Sequence, residues 1–359
     1  MTEASSWHNV SVYYYDDECR DDLIVDCVRS LFASLAPRPC FFLRHWLRGP
    51  HLRLRFHTTA DDFDRVVRPA ITEQVGGWLT EHPSTVQLDE TELLAAHERL
   101  AAREREPGPL SPLYPDNSIQ YLPCDRRIEV LGSEATASLL EDFYLDTTDL
   151  AFAMSEAIRG GTSRMNLALD LMWATGHSAG TITRGVVSYR AHAEARIMTS
   201  PDPGALRSFF QQQYRCRSAA LLERLDQVLD TVDRAGGTGG EVPFVAEWVR
   251  AVSRLYKRAG PLIATGDVTL SVREPGSWFP EELTAHSAFH QALARNPAHL
   301  EMMRTSQRFH TWRVVVNCSY LHLTRLGLRP FERSLLGYLV SETVEERFGI
   351  SAIELVTAS

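Results

Sequence analysis

Residues 49–56 read Gly49-Pro50-His51-Leu52-Arg53-Leu54-Arg55-Phe56, and this run constrains the fold more than any other. Leu52, Leu54 and Phe56 alternate with His51, Arg53, Arg55 and His57. An extended strand here buries one apolar face and gathers four basic or titratable groups on the other. Such a face suits an anionic or carbonyl-rich ligand. It is a local exception, because the 359-residue chain carries a formal net charge of −9. General nucleic-acid binding draws on clustered Lys and Arg and is therefore not expected.

With 44% hydrophobic residues the chain has enough apolar surface for one large core or two smaller ones, as in a soluble globular protein. No run approaches the roughly 18 apolar residues of a spanning helix, so no membrane partner is expected. Cysteines 19, 27, 40, 124, 216 and 318 are scattered without zinc spacing, and the polar start lacks a signal peptide; reduced thiols in a cytoplasmic protein are expected.

The order of patterns predicts strand, helix, strand, strand, helix, strand. Trp7 to Tyr15 alternates as a strand. A helix follows, capped by Asp21 or Asp22 and closed by Pro37, with Leu23, Ile24, Cys27, Val28 and Leu31 at helical spacing. Cys40 to Trp46 and His51 to His57 flank a turn, and a second helix runs from Asp61 toward Leu79. The last strand falls in Thr85 to Leu88 or in Ile119 to Leu122, on either side of a proline-rich excursion at 105–112. The expected fold class is α+β: a ferredoxin-like antiparallel sheet unit over 1–132, then a mainly helical part over 133–359, together one domain.

Helices are expected at Glu134 to Ile158, Arg164 to Thr175, Thr181 to Met198, Ala205 to Tyr214, Ala219 to Val232 and Val245 to Arg258, followed by a long C-terminal run. Gly236 to Gly240 lacks a preceding strand and a following Lys-Ser or Lys-Thr, so it reads as a flexible connection and not a phosphate cradle. If residues 302–326 are helical, Ser306, His310, Arg313, Asn317, Tyr320 and Thr324 form one polar stripe between apolar flanks. That stripe either faces solvent or lines a cavity. Gly327 caps the helix, Pro330 starts the next and Gly349 ends it.

Pro50 to Phe56, taken with Asn317 to Gly327, resembles the C-terminal elimination domain of lantibiotic dehydratases and its stand-alone relatives in thiopeptide biosynthesis. Trp7 with Tyr13 to Tyr15, and Tyr121 to Gly132 followed by Phe143, add weaker matches. Two departures are informative. Val130 stands where the eliminating domains carry arginine, and Tyr320 stands in place of the first histidine of their His-x-His, with His322 retained. Glutamate elimination needs a base and a cationic pocket for the departing carboxylate, so these changes point away from it. The stretch from Tyr320 to Pro330 is instead similar to the thiopeptide pyridine synthases.

That resemblance implies an enzyme that joins two dehydroalanines of one peptide in a formal aza-[4+2] cycloaddition, then expels water and the leader peptide as an amide to form a pyridine macrocycle. The implied partner is an azole- and dehydroalanine-containing precursor peptide with its leader; no cofactor and no metal are expected. Proximity alone can lower such a barrier by about 7–11 kcal/mol. The expected proton-handling residues are Tyr320 and His51, with Arg53 and His322 polarising or orienting. Asn317, Arg313, His310, Ser287, Trp278 and Arg55 are the expected substrate-binding residues, Trp278 by stacking on azoles. A split glutamate-eliminating lyase and a non-catalytic leader-binding module are the alternatives, the latter by strand addition at a sheet edge.

Overall fold

The structure, a computed structural model, describes residues 4–178, 180–234, 242–268 and 286–357. Trp278 and the 236–240 glycine run lie outside the described residues. The chain forms two compact units: Met1–Val130, Tyr144–Thr162 and Arg325–Gly327 make the first, and Leu131–Phe143, Ser163–Thr324 and Leu328–Ser359 the second.

The first unit is built on a four-stranded antiparallel sheet of β1 (Ser6–Tyr13), β2 (Cys40–His45), β3 (His51–Thr58) and β4 (Ser118–Leu122), in the order β2-β3-β1-β4. This is the ferredoxin-like order, and the last strand takes the later of its two expected places. Helix α1 (20–34) and helix α2 (60–81) each contain a π-wound stretch, Leu23–Val28 and Phe63–Val67. Neither Asp21 nor Asp22 caps α1; both sit in its first turn, and Asp16 accepts the amide hydrogens of Glu18 and Cys19 instead. An acidic residue is as stable inside the first turn as at the cap, since the helix dipole favours negative charge there. Thr59 caps α2 by accepting from the Asp62 amide. Helix α3 (Glu90–Glu104) precedes β4.

Val10, Val12, Phe42, Leu52, Leu54 and Phe56 are fully buried on one sheet face, against Ile24, Leu31, Val67 and Ile71 of the helices. The single expected helix over 134–158 divides into α4 (Glu134–Asp146) and α5 (Thr148–Arg159). Here the Tyr144 carbonyl accepts from the hydroxyls of Thr148 at 2.7 Å and Thr147 at 3.4 Å, and from Arg325 Nη1 at 3.2 Å. Side-chain hydroxyls compete with the backbone ladder, and the helix breaks where they win. Phe152 of α5 then joins the sheet core, 5.0 Å from the Phe42 ring.

The second unit is helical: α6 (Arg164–Ser178), α7 (Val187–Met198), α8 (Pro203–Arg215), α9 (Ser218–Arg234), α10 (Val245–Thr265), α11 (Ala288–Arg295), α12 (Pro297–Thr305), α13 (Gln307–Arg325), α14 (Pro330–Phe348) and α15 (Ala352–Thr357). Helix α6 is its axis, with every residue from Leu167 to Gly176 buried. Trp173 donates to the Val340 carbonyl, and Trp248 to the Thr175 hydroxyl at 2.8 Å. Buried Asp170 takes a bidentate ion pair from Arg224 at 2.9 and 2.8 Å. The expected helix over 302–326 begins only at Gln307, because Ser306 adopts an extended backbone and its hydroxyl accepts the Phe309 amide. Gly327 and Gly349 adopt positive φ, and Pro330 opens α14, as expected. No described helix is long and apolar enough to cross a membrane, and the six cysteines form no disulfide.

Two glycines give opposite expectations. A Cβ at Gly185 would lie 2.5 Å from the Gly176 Cα and against its carbonyl oxygen, whereas one at Gly77 in α2 meets nothing within 4 Å. Gly185→Ala should therefore destabilise by about 1–3 kcal/mol. Gly77→Ala should stabilise by about 0.5–1 kcal/mol, which chemical denaturation of the two variants will measure.

Candidate active site

In the sheet unit the second sheet face is polar. Antiparallel register sets Tyr13 opposite His51, Ser11 opposite Arg53 and Asn9 opposite Arg55, with His45, Leu43 and Phe41 on the other flank. Much of this face is buried, including Ser11, His51 and Arg55. Of the four basic or titratable residues that the strand gathers on this face, only Arg53 and His57 retain partial exposure. Arg55 is committed to Cys124 Sγ through Nη1 and to the Asp125 carbonyl through Nη2 at 3.2 Å, so it braces the loop after β4.

His51 is locked by two hydrogen bonds. Its Nδ1 lies 2.8 Å from the Gly49 carbonyl, and its Nε2 lies 3.3 Å from Arg53 Nε. A carbonyl can only accept and a guanidinium can only donate, so Nδ1 carries the proton and Nε2 accepts. Burial, reinforced by the Arg53 charge, pushes the His51 pKa down to about 3. His51 is thus a neutral acceptor that orients Arg53. Arg53 itself is lowered to about 10 by burial and by Arg55, and remains a cation. Its terminal amino groups make no hydrogen bond to a described residue, so two donors are available to a ligand. Gly49 at φ +117° makes the turn possible, since the Tyr15 ring sits 2.9 Å from where a Cβ would be.

In the helical unit Tyr320 of α13 packs edge-on to Tyr189 of α7 at 5.8 Å and against the His192 ring at 4.9 Å. Its hydroxyl is buried near Gly337 of α14, 3.7 Å from where a Cβ would be, and finds no hydrogen-bond partner among the described residues. Burial, with Tyr189 adding to it, holds the phenol well above its ordinary pKa, so it is a proton donor and not an anion. Arg333 of α14 donates to the Tyr320 carbonyl at 3.4 Å and to the Thr324 hydroxyl.

His192 is exposed on α7, its ring packed on one side against that of Tyr320. The partial burial of the ring, followed by the charges of Arg313 and Arg333, lowers its pKa. Below it a charge network fixes α7: Arg190 bonds Glu345 at 2.8 Å and Glu342 at 3.0 Å, and Arg207 holds Glu194 at 2.8 and 2.7 Å.

Three expected residues fall elsewhere. His322 is fully buried with its ring 4.8 Å from Trp248 and 6.5 Å from Phe143, away from Tyr320. Residues i and i+2 of an α-helix are rotated about 200° from one another, so Tyr320 and His322 cannot share a face. Ser287 caps α11: its oxygen accepts the His290 amide at 3.3 Å and faces His290 Nδ1 at 2.9 Å. His310 contacts the Met303 carbonyl at 2.8 Å, which ties α13 to α12. Asn317 is exposed and Arg313 half-buried on the expected stripe. His192, His290 and Arg333 were missed in sequence because none belongs to a recognisable spacing; His192 follows Tyr189 by three residues, which is the one local sign that they share a face.

His51 offers a test of this electrostatic reading. Between about pH 3 and 6.5 the unfolded chain binds a proton at this position that the folded chain refuses, so stability falls as pH drops through that window. His51→Asn should reduce the loss of unfolding midpoint between about pH 7 and pH 5. In the wild type, nitrogen NMR should show His51 neutral and protonated on Nδ1 across that range; a His51 resonance titrating there would contradict the assignment.

The profile of the family described as lantibiotic biosynthesis dehydratase C-term matches residues 7–344. The solved structure of the pyridine synthase TbtD, from thiomuracin biosynthesis, is 36% identical with a TM-score of 0.78, over 96% of this chain and 99% of that one. The crystal structure of TsrL is 22% identical at a TM-score of 0.74, over 99% of both chains, and shares the fold. The tRNA-dependent lantibiotic dehydratase MibB from Microbispora sp. 107891 is 13% identical at 0.52, the match spanning 96% of this chain and 28% of that one. No curated protein matches the chain. The chain belongs to the family of the lantibiotic biosynthesis dehydratase C-terminal domain.

Proposed function

We propose that the protein is a thiopeptide pyridine synthase, which joins two dehydroalanines of an azole-containing precursor peptide and eliminates water and the leader amide. The observation that carries this reading is the 36% identity to the pyridine synthase TbtD across nearly the whole of both chains. The geometry is compatible with the chemistry required. The aza-diene arises from an amide tautomer, which needs a donor at the carbonyl oxygen and an acceptor for the amide proton. Tyr320 holds a phenol proton at neutral pH and has no protein acceptor among the described residues. Arg53 offers two donors to a peptide carbonyl or carboxylate, oriented by His51. Holding two distant dehydroalanines together contributes most, since binding replaces an encounter between them.

Given a linear precursor bearing azoles and dehydroalanines, the protein should release a leader fragment ending in an amide together with a pyridine macrocycle, read by mass spectrometry. Loss of glutamate alone from a glutamylated peptide would replace this reading by the eliminating lyase. Tyr320→Phe should slow product formation by ~10²-fold. It should be no less stable than wild type, because it removes a buried hydroxyl that bonds to no described residue. A wild-type rate would make the hydroxyl incidental. Arg53→Ala should cut turnover in a protein that still folds, with a lower thermal midpoint because buried His51 Nε2 loses its donor; full activity would leave Arg53 without a substrate role.

A further inference from the structure

We infer that His192 is a proton-accepting catalytic residue of the helical unit, an inference that rests on the pyridine-forming reading above. It lies on α7 with its ring against Tyr320 at 4.9 Å and one edge open to solvent. It makes no hydrogen bond to a described residue, so neither ring nitrogen is committed to the fold. Three other histidines contrast with it: His51 is held by Gly49 and Arg53, His310 faces Met303 and His290 faces Ser287.

Partial burial of the ring, and then the groups around it, favour the neutral form of His192. Arg313 and Tyr320 of α13, Arg333 of α14 and His290 of α11 surround it, and the three basic ones disfavour a second cation. Glu194, two residues along α7, is taken by Arg207 and does not offset them. A neutral imidazole has one acceptor nitrogen and one donor. That is the group the aromatising elimination still needs in the helical unit, because Tyr320 is a donor. In that step the acceptor nitrogen takes a proton from a ring carbon and the C–H electron pair becomes the ring π bond. The C–N bond to the leader then breaks with its pair on nitrogen, and the leader amide nitrogen recovers the proton from the imidazolium. The balance needs no oxidant or reductant.

The test uses the full chain and the same linear precursor, with leader affinity and thermal midpoint measured alongside. His192→Ala should lose ~10²-fold or more in rate, within the range for one acid–base group. Leader affinity should be kept, and added imidazole should restore part of the rate, with substituted imidazoles restoring more as their basicity rises. A gap left by a merely structural ring would not respond to the basicity of what fills it. A wild-type rate in His192→Ala, or a lost rate that no imidazole restores, would overturn the role. Should the alanine variant melt early, His192→Gln decides: a folded, slow variant supports the role and a fast one removes it. A wild-type protein that makes no pyridine from the peptide would remove the reaction itself, a result separable from any variant.

Discussion

A guanidinium can act on a ligand only with donors it has not already given to the protein, and this constraint organises the sheet unit. Arg53 and Arg55 sit two residues apart on one face of β3 and meet opposite fates. Arg55 gives its two terminal nitrogens to Cys124 and Asp125, whereas Arg53 gives only its Nε, to His51. The His51 bond in turn requires the neutral tautomer that the Gly49 carbonyl enforces. A charge held this way is pre-aimed, and little side-chain freedom is left to be lost on binding.

The helical unit solves the converse problem of presenting neutral groups beside cations. Arg190 is surrounded by Glu342, Glu345 and Glu194, and those carboxylates raise it above its ordinary range despite its burial. Breaking such a buried cluster by removing one partner costs about 3–5 kcal/mol, so α7 is held firmly against α14. His192 stands on that fixed helix, two residues from both Arg190 and Glu194, and inherits its precision. The acidic partners are used up below it, so partial burial and then the charges of Arg313 and Arg333 favour its neutral form.

How much of this the sequence discloses depends on the range of the forces involved. Period-two alternation placed β3 and its apolar face, because side-chain direction in a strand is local. Whether the polar face is wet is not local: Tyr13 arrives from β1 and His45 from β2, and their rings lie 4.4 and 5.3 Å from that of buried His51. The polar stripe of α13 was legible down to Tyr320, but the break at Ser306 was not, since a serine cap and a helical serine look alike in a pattern. The interruption at Thr147 depends on Arg325, 178 residues away. Tyr320 and His322 part for a related reason: a motif preserves spacing in sequence, and on a helix that spacing sends its two members to opposite sides.

The replacement of histidine by tyrosine at 320 acquires a physical sense from its surroundings. A histidine there would stand beside His192 with Arg313 and Arg333 close by, and burial would disfavour its cation as it does that of His192. Two neutral imidazoles would supply acceptors with no strong donor. A buried phenol supplies the donor without adding charge, and its neighbour His192 supplies the acceptor. A reaction that moves protons between neutral intermediates is served by such a pair, whereas expulsion of a glutamate carboxylate calls for a cationic pocket.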